Sequence, residues 1–140
     1  MKILIDTNVL LDVLCDRKPF AEESAAVWKQ CEIRCVSGLI SAVSVPNIVY
    51  IMRRELSPER TEQLLRFLLM IFDVSELKAD DLKKAASLRF PDYEDALQVV
   101  TAEKEKVSYI VTRNKKDFAG SPIPAVTPGE FLQLLQNRKD

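Results

Sequence analysis

A single α/β domain built on a mostly parallel central sheet flanked by helices is the fold class that the sequence predicts, and three observations predict it. Short runs such as Ile3-Leu4-Ile5 and Tyr109-Ile110-Val111 are apolar at consecutive positions, as strands covered on both faces are. These runs alternate with longer segments of helical period. The chain of 140 residues, 47% hydrophobic, is long enough for one core, so one domain spanning residues 1–140 is expected.

Taken in order, the first strand covers about Lys2–Asp6, and a helix follows from Val9 to about Cys15. Pro19 breaks that helix, and a second one runs through Ala25, Ala26, Val27 and Trp28 toward Glu32. Cys35–Ile40 reads as the second strand. Ser41 or Ser44 is the expected cap of a third helix, with Pro46 tolerated in its first turn and Arg53-Arg54 near its end. Ser57-Pro58-Glu59 opens a fourth helix with proline at the first helical position, and Leu64, Leu65, Leu68 and Leu69 form its apolar stripe. Ile71–Val74 is a short third strand, and Ala79–Leu88 a helix. Asp92 precedes a helix carrying Ala96, Leu97, Val99, Val100 and Ala102. Tyr109–Thr112 and Pro124–Thr127 complete the strands, and Pro128–Leu135 is the last helix.

Composition removes several classes of function. No apolar run approaches the roughly 20 residues needed to cross a membrane, and the N-terminus lacks the basic start and cleavage site of a signal peptide, so a cytoplasmic protein is expected. The cysteines, Cys15, Cys31 and Cys35, are odd in number and read as buried free thiols rather than a disulfide framework or a zinc site. Histidine is absent, which excludes Ser-His-Asp, Cys-His and His-zinc chemistry. With three glycines, Gly38, Gly120 and Gly129, there is no phosphate-binding loop. Catalysis must therefore rest on carboxylates, amides, hydroxyls, basic side chains and any ion they hold. The net charge of -1 leaves nucleic-acid binding to local patches or metal.

The acids have a pattern. Open α/β sheets bind ligands at the carboxyl ends of their strands. Asp6 ends the first strand there. Thr112-Arg113-Asn114 follows the Tyr109–Val111 strand in the same way, with Asp117 close behind. Asp95, in the first turn of the helix feeding that strand, and Asn47, in the first turn of the third helix, are expected at the same edge. Clustered carboxylates repel unless a proton or cation intervenes, and hard oxygen donors suit Mg²⁺ or Mn²⁺. Such an ion can activate water against a phosphodiester without any histidine.

Each residue also has a plainer reading. Asp6 can cap the helix that follows it, and Asp92 reads as an N-cap before it reads as a ligand. Asp95 is then partly explained by the helix dipole, and Glu94 is a solvated first-turn acid. Asp12 is a surface or ion-pairing group, and Asp117 a turn residue. Asn47 and Asn114 can bond loop backbone. Arg53-Arg54 and Lys115-Lys116 are solvated charge or, near the acids, phosphate contacts.

Four segments together resemble a known family. Ile3-Leu4-Ile5-Asp6-Thr7-Asn8-Val9-Leu10-Leu11-Asp12, Ile40 to Asn47, Asp92-Tyr93-Glu94-Asp95-Ala96-Leu97-Gln98, and Tyr109 to Phe118 resemble, in order and spacing, the motifs of PIN domains. The short single domain resembles the VapC-type toxins of toxin–antitoxin pairs. The resemblance implies a Mg²⁺- or Mn²⁺-dependent ribonuclease with Asp6 and Asp95 as metal ligands. It leaves the fourth-motif role between Asn114 and Asp117, with Asp117 favoured as the ligand for its charge and Asn114 beside it. Thr112 and Asn8 are implied as supporting hydrogen-bonders, with Asp92 in support. Where the family usually carries a Glu, this chain has Asn47, which implies weaker metal binding unless Asp92 or Glu94 compensates. The resemblance further implies a homodimer and a cognate antitoxin whose C-terminal segment covers the site. The apolar surplus of Leu64, Leu65, Leu68, Leu69, Met70, Ile71 and Phe72 is core first, and a dimer or antitoxin groove second. The competing expectation is a catalytically weak or inactive PIN-fold module that binds RNA or a protein partner. A different phosphotransfer enzyme is disfavoured by the missing nucleotide loop.

Overall fold

In the computed structural model, which describes residues 1–139, the chain runs β1 (Lys2–Ile5), α1 (Thr7–Leu14), α2 (Ala21–Glu32), β2 (Ser37–Ser41), α3 (Ser44–Glu55) and α4 (Pro58–Ile71). It continues through β3 (Asp73–Ser75), α5 (Ala79–Ser87), α6 (Tyr93–Glu105), β4 (Tyr109–Val111), a 3₁₀ turn (Lys115–Phe118), β5 (Ala125–Val126) and α7 (Pro128–Lys139). The sheet order is β3-β2-β1-β4-β5, and every pairing is parallel. The sheet is thus wholly rather than mostly parallel. Such sheets need helices on both faces, because each crossover lays one there.

The strand residues divide between the two layers. Ile3, Ile5 and Ile40 point into the larger core with Val9, Leu10, Val27, Ile48, Met52, Leu68, Phe72 and Phe131. Leu4, Leu39 and Ile110 point the other way, onto Val99, Ala102, Val107 and Phe118. The side-chain alternation of β1, with both faces fully covered, explains why its sequence shows no polar position before Asp6.

Local chemistry sets several element ends. The Ser57 side chain accepts from the Arg60 N–H at 3.1 Å, with Pro58 at the first helical position, so α4 starts as its sequence implies. Three expectations need correction. Neither Ser41 nor Ser44 caps α3: Val43 holds the cap position, the Ser41 hydroxyl accepts from the Val43 N–H at 3.3 Å, and Ser44 turns inward toward Thr7. The third strand begins at Asp73 rather than Ile71, because α4 continues until the Phe72 N–H bonds to the Leu68 carbonyl at 3.0 Å. Of the thiols, Cys31 is buried, Cys15 is half-buried and Cys35 is exposed, since it lies in the turn that leads out of α2. Among the described residues no helix is long and apolar enough to cross a membrane.

Gly38 shows how tightly α2 and α4 close on β2. A Cβ built on it would lie 2.7 Å from Cys31 Sγ and 2.7 Å from Phe72 Cδ1, inside contact distance. Phe72 is itself held by an edge-to-face contact with Trp28, ring centroids 4.9 Å apart. Gly38→Ala is therefore expected to destabilise the fold by about 1–3 kcal/mol, the usual cost of overpacking. Urea unfolding of the variant and its parent measures this, and equal midpoints would show that the Phe72 ring swings aside freely.

Candidate active site

The sheet places its crevice between β1 and β4. From β1 the chain builds outward through β2 to β3, then crosses back to the other side of β1 for β4. Strand order reverses at that point, and open α/β sheets bind ligands beyond the strand ends there. Asp6 follows β1 and Thr112 follows β4, so both stand at the crevice mouth. The Asp6 N–H donates to the Val111 carbonyl at 2.9 Å, carrying the strand pairing one residue past β1. The Thr112 hydroxyl donates to Asp6 Oδ2 at 2.8 Å, with both residues buried.

The structure removes the cap reading of Asp6. The residue occupies the N-cap position of α1, but its side chain makes no cap hydrogen bond there. Its carboxylate is instead held across the crevice by Thr112. Asp92, by contrast, is a working cap: its Oδ1 accepts from the Glu94 N–H at 2.8 Å and the Asp95 N–H at 3.2 Å. That cap starts α6 at the edge of the crevice and aims Glu94 and Asp95 into it.

A cavity of about 420 Å³ collects the expected residues. Its lining includes Asp6, Asn8, Asn47, Asp92, Asp95 and Asp117. Asp117 is carried by the 3₁₀ turn, which is pinned because the next residue, Phe118, is buried in the core on the α6 side. Asn114 is exposed and does not line the cavity; its backbone N–H donates to Thr112 Oγ1 at 3.1 Å, which supports the residue that holds Asp6.

Glu94 is not the solvated acid that its sequence position suggests. It is half-buried, lines the cavity, and accepts a hydrogen bond from the Thr7 hydroxyl at 3.0 Å. Thr7 belongs to a buried relay. Gln98 Nε2 donates to Ser44 Oγ at 3.0 Å, Ser44 and Thr7 hydroxyls lie 2.8 Å apart, and the Thr7 hydroxyl donates to Glu94 Oε1. Since Thr7 donates to the carboxylate, Ser44 must donate to Thr7, and the relay has one direction. It ties α1, α3 and α6 together beneath the acids. Sequence reading overlooked Thr7, Ser44 and Gln98 in this role. The signal was a glutamine amid the apolar residues of α6, where all positions from Ala96 to Ala102 are buried.

The electrostatics follow from burial first and crowding second. Burial pushes the Asp6 carboxyl up to about 6, against the opposing pull of the Thr112 hydrogen bond, with Glu94 and Asp117 adding like charge. Asp95 is pushed up to about 7, first by burial and then by Asp92, Asp6, Asp117 and Glu94. Groups in this state favour a proton or a cation. Among the described residues no three acidic or cysteine side chains stand close enough together to grip an ion as a ready cluster. The donors are nonetheless all hard oxygens, and Mg²⁺ is commonly held by one or two carboxylates with waters completing its shell. The site fits that mode of binding, with Asp6, Asp95 and Asp117 as the candidate holders.

The PIN domain family model matches residues 2–116. The chain belongs to the PIN domain family. Ribonuclease VapC1 of Aquifex aeolicus (strain VF5) is 23% identical over 137 residues, covering 94% of each protein. A toxin–antitoxin complex from Klebsiella pneumoniae contains a chain of 26% identity and TM-score 0.69, with 90% of this chain and 97% of that one covered. The Mycobacterium tuberculosis protein VapC20, described as a Sarcin-Ricin loop cleaving toxin, shares the fold at 12% identity and TM-score 0.64, covering 77% of this chain and 86% of that one.

Two other residues of this PIN domain resolve their sequence alternatives. Asp12 is a pairing group and not a surface one. It is fully buried, Arg113 Nε lies 2.8 Å from its Oδ2, and Ser24 Oγ donates to the same oxygen at 3.2 Å. The arginine N–H is not aimed along that line, so the contact is an ion pair and not an aligned hydrogen bond. The Arg113 guanidinium also sits 3.9 Å from the centroid of Phe20. Arg113 thereby clamps the segment after β4 against α1 and α2, and holds Thr112 in register with Asp6. Lys115 pairs with Glu130 at 2.9 Å.

Raised carboxyl values make stability depend on pH in a defined direction. The folded protein holds protons on Asp6 and Asp95 that the unfolded chain releases near 3.8. The stability these protons contribute is complete below that value and lost as pH rises through about 6 and about 7. The EDTA-treated protein is thus expected to melt at a higher temperature at pH 5.5 than at pH 8. Asp95→Asn should flatten that difference and raise the pH 8 melting point by about 2–4 °C, the response to roughly 1 kcal/mol in a chain of this size. Scanning calorimetry of both proteins at the two pH values measures it; a variant that melts lower than its parent at pH 8 would refute the crowding of these acids.

Proposed function

We propose that this protein is a divalent-metal-dependent endoribonuclease acting in the cytoplasm as the toxin of a type II toxin–antitoxin pair. The observation that carries the reading is the set of Asp6, Asp95 and Asp117 around one cavity at the β1/β4 crevice. Membership of the PIN family, the resemblance to a ribonuclease and the likeness to a chain from a toxin–antitoxin complex support it.

In this reading Asp6, Asp95 and Asp117 hold Mg²⁺ or Mn²⁺. When bound, the ion supplies Lewis acidity toward a phosphoryl oxygen and lowers the pKa of a coordinated water. Thr112 keeps the Asp6 carboxylate oriented and favours its charged form. Glu94, fixed by the Thr7 hydroxyl, supplies the negative charge that Asn47 does not. Asn47 and Asn8 offer amides to the phosphate or its attacking water, with Asn114 supporting from the exposed side of the turn.

The protein is proposed to act as a homodimer and to be neutralised by a cognate antitoxin. Phe67, Leu69 and Met70 on α4 are 54%, 46% and 70% exposed, an apolar surface suited to either contact. A module that binds RNA without cutting it is the second reading, and Asn47 in the cavity wall favours it.

Cleavage of total RNA by the purified protein distinguishes the readings. Activity is expected with Mn²⁺, is expected to disappear with EDTA, and should fall at least about a hundredfold in Asp6→Asn and in Asp95→Asn, as removal of a metal-holding group implies. Undiminished cleavage by Asp6→Asn would sink the assignment. RNA binding without any metal-dependent cleavage would select the second reading.

A further inference from the structure

The wall of the acid cavity formed by α3 is chemically unlike the rest. Asn47, Tyr50, Ile51 and Arg54 line it at spacings of three, four and seven residues, one face of a helix. Arg54 is the one basic side chain in a lining that carries five carboxylates, yet among the described residues it forms no salt bridge with any of them. Its guanidinium carbon instead lies 5.8 Å from the centroid of the Tyr50 ring. Tyr50 is 65% exposed. An exposed aromatic is ordinary by itself. What sets this one apart is its position.

Tyr50 and Arg54 also line a second cavity, of about 600 Å³, floored by Val45, Pro46 and Val49 and edged by Arg53. The two residues therefore form the shared wall between an acidic cavity and an apolar one with two cations. A single-stranded nucleic acid has the complementary order of groups: a phosphate suited to a cation beside a base with two π faces suited to an aromatic ring. A paired duplex does not, because its bases are stacked inside. A neighbouring apolar peptide would need only the floor, and leaves Arg54 beside the acid cavity without a role.

We propose that Tyr50 and Arg54 are substrate-positioning residues, the nucleotide next to the scissile phosphate stacking on Tyr50 over the Val45-Pro46-Val49 floor while its phosphate lies on Arg54. The inference rests on the ribonuclease reading. It adds the residues that hold the strand and the side of the acids from which the strand enters.

The test is fluorescence anisotropy of a labelled oligouridylate in EDTA, so that nothing is cut, with cleavage kinetics in Mn²⁺ alongside. Tyr50→Ala is expected to weaken binding about fivefold to a hundredfold, as loss of one base–aromatic stack does, while Tyr50→Trp restores it. Arg54→Gln is expected to reduce the slope of log affinity against log salt by about 0.7, the loss of one phosphate contact on a single strand. Both are expected to raise KM more than they lower kcat. The oligouridylate annealed to its complement should bind more weakly and be indifferent to Tyr50→Ala. Parent-like affinity and salt slope in both variants, with cleavage intact, would overturn the positioning role alone and leave the apolar cavity to a protein partner. Failure of the parent itself to bind or cut RNA would overturn the ribonuclease reading and this inference together.

Discussion

The hydrogen bond from Thr112 to Asp6 is the constraint on which the site depends. It spans β1 and β4, the strands on either side of the point where strand order reverses, at a distance of 2.8 Å. Because parallel pairing fixes the register Ile3↔Tyr109 and Ile5↔Val111, the residue after each strand lands at the same height. The carboxylate and hydroxyl therefore meet without any loop having to place them. A position held by sheet register is more exact than one held by a loop, and every other group of the site is arranged around it.

The remaining acids come from elements that the core must hold in place against repulsion. Asp95 and Glu94 ride on the first turn of α6, whose following residues are all buried from Ala96 to Ala102. Asp117 rides on a turn nailed down by Phe118. The Gln98–Ser44–Thr7 relay crosses beneath them and ends on Glu94, so α1, α3 and α6 cannot shift apart without breaking a buried hydrogen bond. Burial first, and the charge of neighbouring acids second, raises Asp6 and Asp95. Carboxylates kept this close, and partly dry, are weaker acids than in water, and for the same reason better partners for a cation.

Much of this was readable because backbone periodicity and site chemistry share a rule. An apolar run ending in Asp6, another ending in Thr112, and an acid at the start of the helix before it are marks of a parallel sheet and of its crevice at once. Local signals also carried Ser57 and Asp92, whose caps depend only on residues two or three positions away. What escaped depended on contacts distant in sequence. Ser44 looks like a helix cap until Thr7 and Gln98, 37 and 54 residues away, draw its hydroxyl inward. Glu94 looks solvated until Thr7, 87 residues away, binds it. Cys35 read as a buried thiol because an unpaired cysteine without metal partners usually is one, but the turn beyond α2 leaves it outside. Tyr50 shows no motif, since its meaning lies in facing two cavities at once, whereas Arg54 was legible as a phosphate contact though its place beside that ring was not.

The neutral residue at position 47 makes physical sense in this setting. A glutamate there would join Asp6, Asp92, Glu94, Asp95 and Asp117 in one lining, adding like charge to a site where Asp6 and Asp95 already hold protons more tightly than in water. It would also stand on the same face of α3 as Arg54 and Tyr50, one turn before Tyr50 and two before Arg54. A carboxylate so placed would compete with a phosphate for the guanidinium, because a charge-assisted pair to a fixed side chain forms without the cost of capturing a ligand. With Asn47 the acids gather on the α1, α6 and 3₁₀-turn side of the cavity, and the cation remains on the α3 side. Glu94 adds its charge on the side where repulsion is already countered by a donated hydrogen bond from Thr7. On the proposed function, the amide at position 47 leaves one wall for the ion and one for the strand, and that division would account for five carboxylates occurring beside an arginine that, among the described residues, pairs with none of them.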